Sequence, residues 1–164
     1  MRRKDRAIQD PKVLDAIMTQ SNYVVLGLPG HEAPYLVPMN FGWHNQCLYM
    51  HSARAGRKIR MLQDAGGKLP VSAVLVGKAD VYDPGHGATE ITTHYASVFM
   101  EGTLEEVTTL QEARAGMQAI LTQAKAGDQP FSDEALKSTA VLRLTPHTIS
   151  GKQNPGAAAA AIKE

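Results

Sequence analysis

The sequence predicts a mainly β fold, a small antiparallel β-barrel carrying a few helices. Six stretches read as strands, against only two or three helical patterns. The first three strands are joined by turns, whereas a parallel sheet needs a helix between nearly every strand pair. The chain of 164 residues, 43% hydrophobic and 20% charged, suits one domain with a single core. A chain of that size buries about 70% of the surface its unfolded form exposes.

Asp10-Pro11 reads as a helix N-cap followed by the first helical position, and Val13, Leu14, Ile17 and Met18 then form one apolar stripe. Residues 23–28 are β-branched and apolar, a first strand stopped by Pro29-Gly30. Residues 34–44 form a second strand, with Asn45-Gln46 as its turn; Pro38 inside it predicts an edge position or a bulge. A third strand covers 47–51, and a helix over 56–65 closes at Gly66-Gly67. Residues 71–82 make a fourth strand and 83–87 a loop. Residues 91–107 make a fifth strand, bent near Gly102. Leu110, Ala113, Met117, Ile120, Leu121 and Ala124 recur at helical spacing, and 139–149 is the closing strand. We assign residues 1–152 to one domain and 153–164 to a low-complexity tail containing the alanine run of 157–161.

Several classes of function are excluded. A net charge of +1 provides no field to recruit nucleic acid or an anionic membrane. The basic start, Met1 to Arg6, is interrupted by Asp5 and has no apolar core of signal-peptide length after it. No run reaches the roughly 18 apolar residues of a membrane span. Cys47 is the only cysteine, which removes an internal disulfide and any cysteine-based zinc site, and a cytoplasmic location is expected. His31, His44, His86, His94 and His147 are scattered without metal-ligand spacing, so no metal site is expected. Dinucleotide, Walker-type and nucleophile-elbow motifs are all missing.

The segment Leu48-Tyr49-Met50-His51-Ser52-Ala53 followed by Gly56-Arg57-Lys58 carries the chemistry. An apolar strand ends in small and hydroxyl residues, and a helix then starts with two cations. Unpaired N–H groups and the macrodipole at a helix N-terminus favour an anion, and Arg57 and Lys58 stand beside them. The plain alternative is a solvated helix start. His51 is either a histidine satisfied by a hydrogen bond or, with its near-neutral titration, a proton donor. Phe41 and Trp43 share one strand face, with Trp43 read as core or dimer interface ahead of a flavin-side wall; Tyr95 and Phe99 share another, read as packing ahead of stacking on a ligand.

Three blocks of residues, in order, resemble the flavin split barrels related to pyridoxamine 5′-phosphate oxidase, especially the nitroimidazole-resistance branch. They are Met1 to Arg6 with the helix after it; Tyr35 to Gly42 running through His51-Ser52-Ala53 to Gly56-Arg57-Lys58; and Tyr95 to Thr103, followed by Thr139-Ala140-Val141 and Ile149 to Lys152. The resemblance implies a six-stranded, Greek-key-like split barrel that forms a homodimer with FMN between its subunits. By position, Arg57 and Lys58 would hold the FMN phosphate, and His51, Ser52 and Ala53 would run beside phosphate and ring. Pro38, Met39 and Asn40 would border the isoalloxazine, and Ser97 and Val98 would form the other wall. Implied too are electrons from a reduced pyridine nucleotide or another donor, and a small-molecule acceptor such as a nitro compound.

Two departures limit that resemblance. The C-terminal Arg and His that bind the pyridoxal substrate in the true oxidases are replaced here by alanines, and the loop at 83–92 is short and lacks an aromatic cover. Three rivals remain: a haem-binding or haem-degrading barrel, with His86 as the sharper ligand; a non-catalytic flavin-binding protein; and an interaction module with no cofactor.

Overall fold

The chain closes into a barrel because one strand serves two edges. In the computed structural model, which describes residues 3–154, β3 (Tyr35–Met39) and β4 (Phe41–His44) are separated only by Asn40. β3 pairs antiparallel with β2 (Val24–Leu28), while β4 pairs antiparallel with β5 (Cys47–Ala53). The eight-stranded sheet runs β3-β2-β6-β7-β8-β5-β4, with β6 at Lys68–Tyr82, β7 at Thr92–Glu106 and β8 at Thr139–Gln153. Its two ends, β3 and β4, are therefore consecutive in the chain. The two-residue β1 (Ala7–Ile8) pairs with β8. Eight strands replace the six predicted because residues 34–44 break at Asn40 and β1 is added. Pro38 sits on β3, at an end of the sheet, where its missing N–H costs no ladder bond.

Local chemistry sets the elements. Asp10 caps α1 (Pro11–Gln20) by accepting from the Lys12 N–H at 2.9 Å, and Ile17 and Met18 are buried. Asn45 and Gln46 both take positive φ, 49° and 60°, the backbone of a tight hairpin turn that matches strand twist. Gly102 marks a shift in the β7–β8 register, and a Cβ there would meet the Thr145 carbonyl oxygen at 2.3 Å. α2 (Arg57–Asp64) ends where the Gly66 and Gly67 N–H groups donate to the Gln63 and Leu62 carbonyls, each at 2.9 Å. A short helix, α4 (Asp133–Ser138), appears where no element was expected; Ser132 caps it by accepting from the Ala135 N–H at 3.1 Å. The alanine run of 157–161 lies outside the described residues, as do Met1 and Arg2.

The main core fills the barrel with Leu26, Phe41, Leu48, Met50, Leu75, Met100, Leu142 and others, and Trp43 packs against it. Ile59 and Leu62 of α2 join this core, and α2 packs beside β6. A second cluster, of Tyr49, Ala113, Ile120, Leu136 and Val141, lies outside the barrel beneath α3 (Leu110–Gln123) and α4. α3 reaches the wall at two glycines. A Cβ on Gly42 would lie 2.2 Å from the Ala119 carbonyl carbon, and one on Gly116 would lie 2.5 Å from the Tyr49 ring. Polar groups fix the contact. Arg143 donates to Glu112 on α3 at 2.7 Å and to Glu105 on β7 at 3.0 Å, and the Tyr49 hydroxyl donates to Glu112 at 3.1 Å. Lys68 and Arg143 hold the Glu105 carboxyl below its ordinary range. No described helix is long and apolar enough to cross a membrane.

Gly42→Ala should lower folding stability by about 3 kcal/mol, because backbone of α3 must move to admit one methyl; urea unfolding checks this, and an unchanged midpoint would contradict the close approach. Burial, aided by Glu112, pushes the Tyr49 phenol up to about 12. The folded state thus keeps a proton that the unfolded chain releases near pH 10, so stability should fall as pH rises from about 10 to about 12. Tyr49→Phe should flatten that part of a stability–pH curve.

Candidate functional site

The end of β5 carries the candidate residues out of the barrel wall. Its ladder with β8 pairs His51 with Val141, Ser52 with Ala140 and Ala53 with Thr139. Side chains alternate, so Ser52 lies on the side of the buried Met50 while His51 and Ala53 face outward and are exposed. Tyr49, on the same face as His51, is covered by α3; His51, two residues on, is not. The His51 imidazole makes no hydrogen bond among the described residues.

Asn40 stands beside it. The β4–β5 ladder pairs Phe41 with Met50, and Asn40 and His51 each lie one residue beyond that pair. Barrel closure thus brings Asn40, His51, Ser52 and Ala53 to one corner, with exposed Pro38 and buried Met39 leading into it. Ser97 and Val98 are elsewhere on the same sheet. Met39, Val24, Leu75 and Val98 form one row across β3, β2, β6 and β7. At about 4.8 Å per strand, three spacings separate Val98 from Met39 along the curved wall, a path of about 14 Å. The Val98 side chain is fully buried in the core, and Ser97 donates to the Lys152 carbonyl at 3.4 Å.

Three residues beyond Ala53, Gly56 precedes α2 with φ of 115°, a conformation glycine adopts without strain. No side chain caps the helix start. Arg57, exposed, lies over the Tyr35 ring with Cζ 4.4 Å from its centroid, and burial pushes the Lys58 ammonium below its ordinary range. Neither cation makes an ion pair among the described residues, although Glu32 and Asp64 border grooves that Arg57 also lines. Arg54 is committed differently: it donates to Glu106 at 2.7 Å and to the Lys137 carbonyl, tying the turn to β7 and α4. Two uncompensated cations at an uncapped helix N-terminus fit a phosphate group, by charge and by donor number. The sequence did not single out Tyr35 or Arg54; Tyr35 lies in a quoted block, but its ring contact depends on where α2 docks.

Cys47 is half-buried, its Sγ 3.8 Å from the Thr145 hydroxyl, and packs against the second cluster. Among the described residues no cluster of histidine, cysteine and carboxylate side chains is arranged to hold a metal ion. At the far hairpin, Tyr82 and His94 stack with centroids 4.7 Å apart.

A barrel closed through one bent strand, packed against a helix whose N-terminus offers cations to the surface, defines the split-barrel class. The profile of the pyridoxamine 5′-phosphate oxidase family matches residues 10–153, and the chain belongs to that family. Its fold is similar to that of a candidate 5-nitroimidazole antibiotic resistance protein from Bacteroides thetaiotaomicron, with 26% identity and a TM-score of 0.77 over 90% of this chain and 86% of the other. It is similar as well to the flavocytochrome Anf3 of Azotobacter vinelandii, at 18% identity and TM-score 0.77, covering 94% and 72% of the two chains. A FAD and heme binding protein of Mycobacterium smegmatis matches at 17% identity and TM-score 0.75, covering 94% and 80%. The last two share the fold alone. A comparison with curated proteins gave no match.

Proposed function

We propose that this chain is an FMN-dependent oxidoreductase that reduces a small-molecule acceptor, in the manner of the nitroimidazole-resistance proteins, and that it works as a homodimer. The observation that carries this reading is the uncapped start of α2. There Arg57 and Lys58, without carboxylate partners among the described residues, follow directly on the strand that holds His51. The flavin phosphate would lie against those two cations and the first N–H groups of α2, with Ser52 and Ala53 alongside. Pro38, Met39 and Asn40 would border the ring near His51, Met39 through its main chain.

When bound, FMN supplies the electron transfer, and a reduced pyridine nucleotide or another donor supplies the electrons. The chain's own residues bind, orient and move protons. Reduction of a nitro group consumes protons as well as electrons, and the exposed imidazole of His51 would give one from a ring N–H.

Dimerisation is supported by the outer sheet face. Leu36, Val76 and Phe99 project from β3, β6 and β7 on one side and are 63%, 42% and 41% exposed. A flavin ring has two faces, and the Asn40 corner offers one wall. Ser97, with the Val98 main chain, stands three strands away and would contribute the opposite wall from a second copy. The printed names of the Azotobacter and Mycobacterium neighbours include a flavocytochrome and a haem-binding protein, so haem is the cofactor to be told apart from flavin.

The purified protein should show the two absorption bands of a bound flavin, and Arg57→Ala and Lys58→Ala should each weaken FMN binding by about 1–3 kcal/mol. A Soret band, or FMN affinity untouched by both substitutions, would count against the proposal. His51→Ala should slow reduction of a nitro or quinone acceptor while FMN stays bound; unchanged steady-state rates would remove His51 from the mechanism.

A further inference from the structure

We infer that Tyr35 is a positioning residue for the phosphate-binding cation: its ring holds the Arg57 guanidinium by one face, so that the N–H edge is presented to the flavin phosphate. The inference rests on the placement of the phosphate at the start of α2 given above, and adds a residue to it.

A guanidinium is planar and weakly hydrated, with its donors arranged around its edge. Stacked on a ring, it gives up one face and keeps every N–H for an oxyanion. Arg57 Cζ lies 4.4 Å from the Tyr35 ring centroid, well within the range of such a contact. The ring is itself anchored. Tyr35 is the first residue of β3, pairs with Leu28 of β2, and packs against the main core. Arg57, by contrast, is an exposed residue at the first position of a helix, where a long side chain would otherwise sample many rotamers.

The neighbourhood gives the ring a second task. Glu32 and Asp64 border the grooves that Arg57 lines, yet neither is ion-paired with it. A guanidinium released from the ring has these carboxylates as competitors to the phosphate. Lys58 needs no such support: it is half-buried, and an ammonium acts as a point charge whatever its orientation. The two adjacent cations are therefore held in different ways, one by a ring and one by burial.

The contribution of the phosphate is isolated by comparing FMN with riboflavin, which lacks it. Dissociation constants of both, from flavin fluorescence titrations of the apoprotein, give an affinity ratio for wild type, Tyr35→Phe, Tyr35→Leu and Arg57→Ala. Tyr35→Phe should keep the ratio within about twofold, and Tyr35→Leu should lower it about fivefold with riboflavin affinity unchanged. Fluorinated phenylalanines at position 35 keep the shape but weaken the ring quadrupole; they should lower the ratio step by step, and they decide the matter if the leucine variant does not fold. An unchanged ratio in those variants, or equal losses for FMN and riboflavin, would overturn the role of Tyr35. An unchanged ratio in Arg57→Ala would instead overturn the phosphate placement itself, and the role of Tyr35 with it.

Discussion

Closure of the barrel through a single residue is the constraint on which the rest depends. β3 and β4 end the sheet and form no ladder with each other, so chain connectivity is what holds these two edges side by side. Here the same strand leaves one edge and enters the other across Asn40, so the ladders on either side must diverge where the chain bends. The buried side of α2 adds Ile59 and Leu62 to the core that these ladders enclose. α2 begins three residues after β5 ends, so its N-terminus and the two cations come to the surface beside the end of that strand.

The opposite side of the same corner is held rigid by a different means. α3 lies against β4 and β5 with no side chain interposed at Gly42, and the glycine at 116 lets the Tyr49 ring touch the helix backbone. Arg143 then binds β7 and α3 at once through Glu105 and Glu112. Ion pairs of this half-exposed kind add little stability individually; their value here is geometric, since they fix α3 relative to β7 and β8.

Much of this could be read in the sequence, for physical reasons that differ by element. Residues whose neighbours in the chain decide their state were legible: Asp10-Pro11 at the start of α1, Asn45-Gln46 in the hairpin, Gly66-Gly67 after α2, and the bend at Gly102. The split of residues 34–44 at Asn40 was not, because strand-forming Phe41 and Trp43 resume at once and only the exchange of partners reveals the break. α4 carried a signal that was passed over, Ser132 followed by Asp133 and Glu134, the composition of a capped first turn. Of the site, the cations and His51 were visible as a local motif. The stacking of Tyr35 on Arg57, and the separation of Ser97 from the Asn40 corner, depend on docking and register that no local pattern encodes.

One small contact bears on the order in which the molecule assembles. The C-terminal carbonyls of a helix need partners from elsewhere, and Gln123 of α3 donates through Nε2 to the carbonyls of Met18, Thr19 and Ser21 at 2.9 to 3.0 Å. The donor lies more than a hundred residues downstream of its acceptors. Such long-range closure is slow to form; Ser21 caps α1 locally through the Ile17 and Met18 carbonyls, and the Gln123 contacts are added only once α3 is in place. Until then α1 can form without its final polar contacts, which makes this side chain a late-setting latch between α1 and α3.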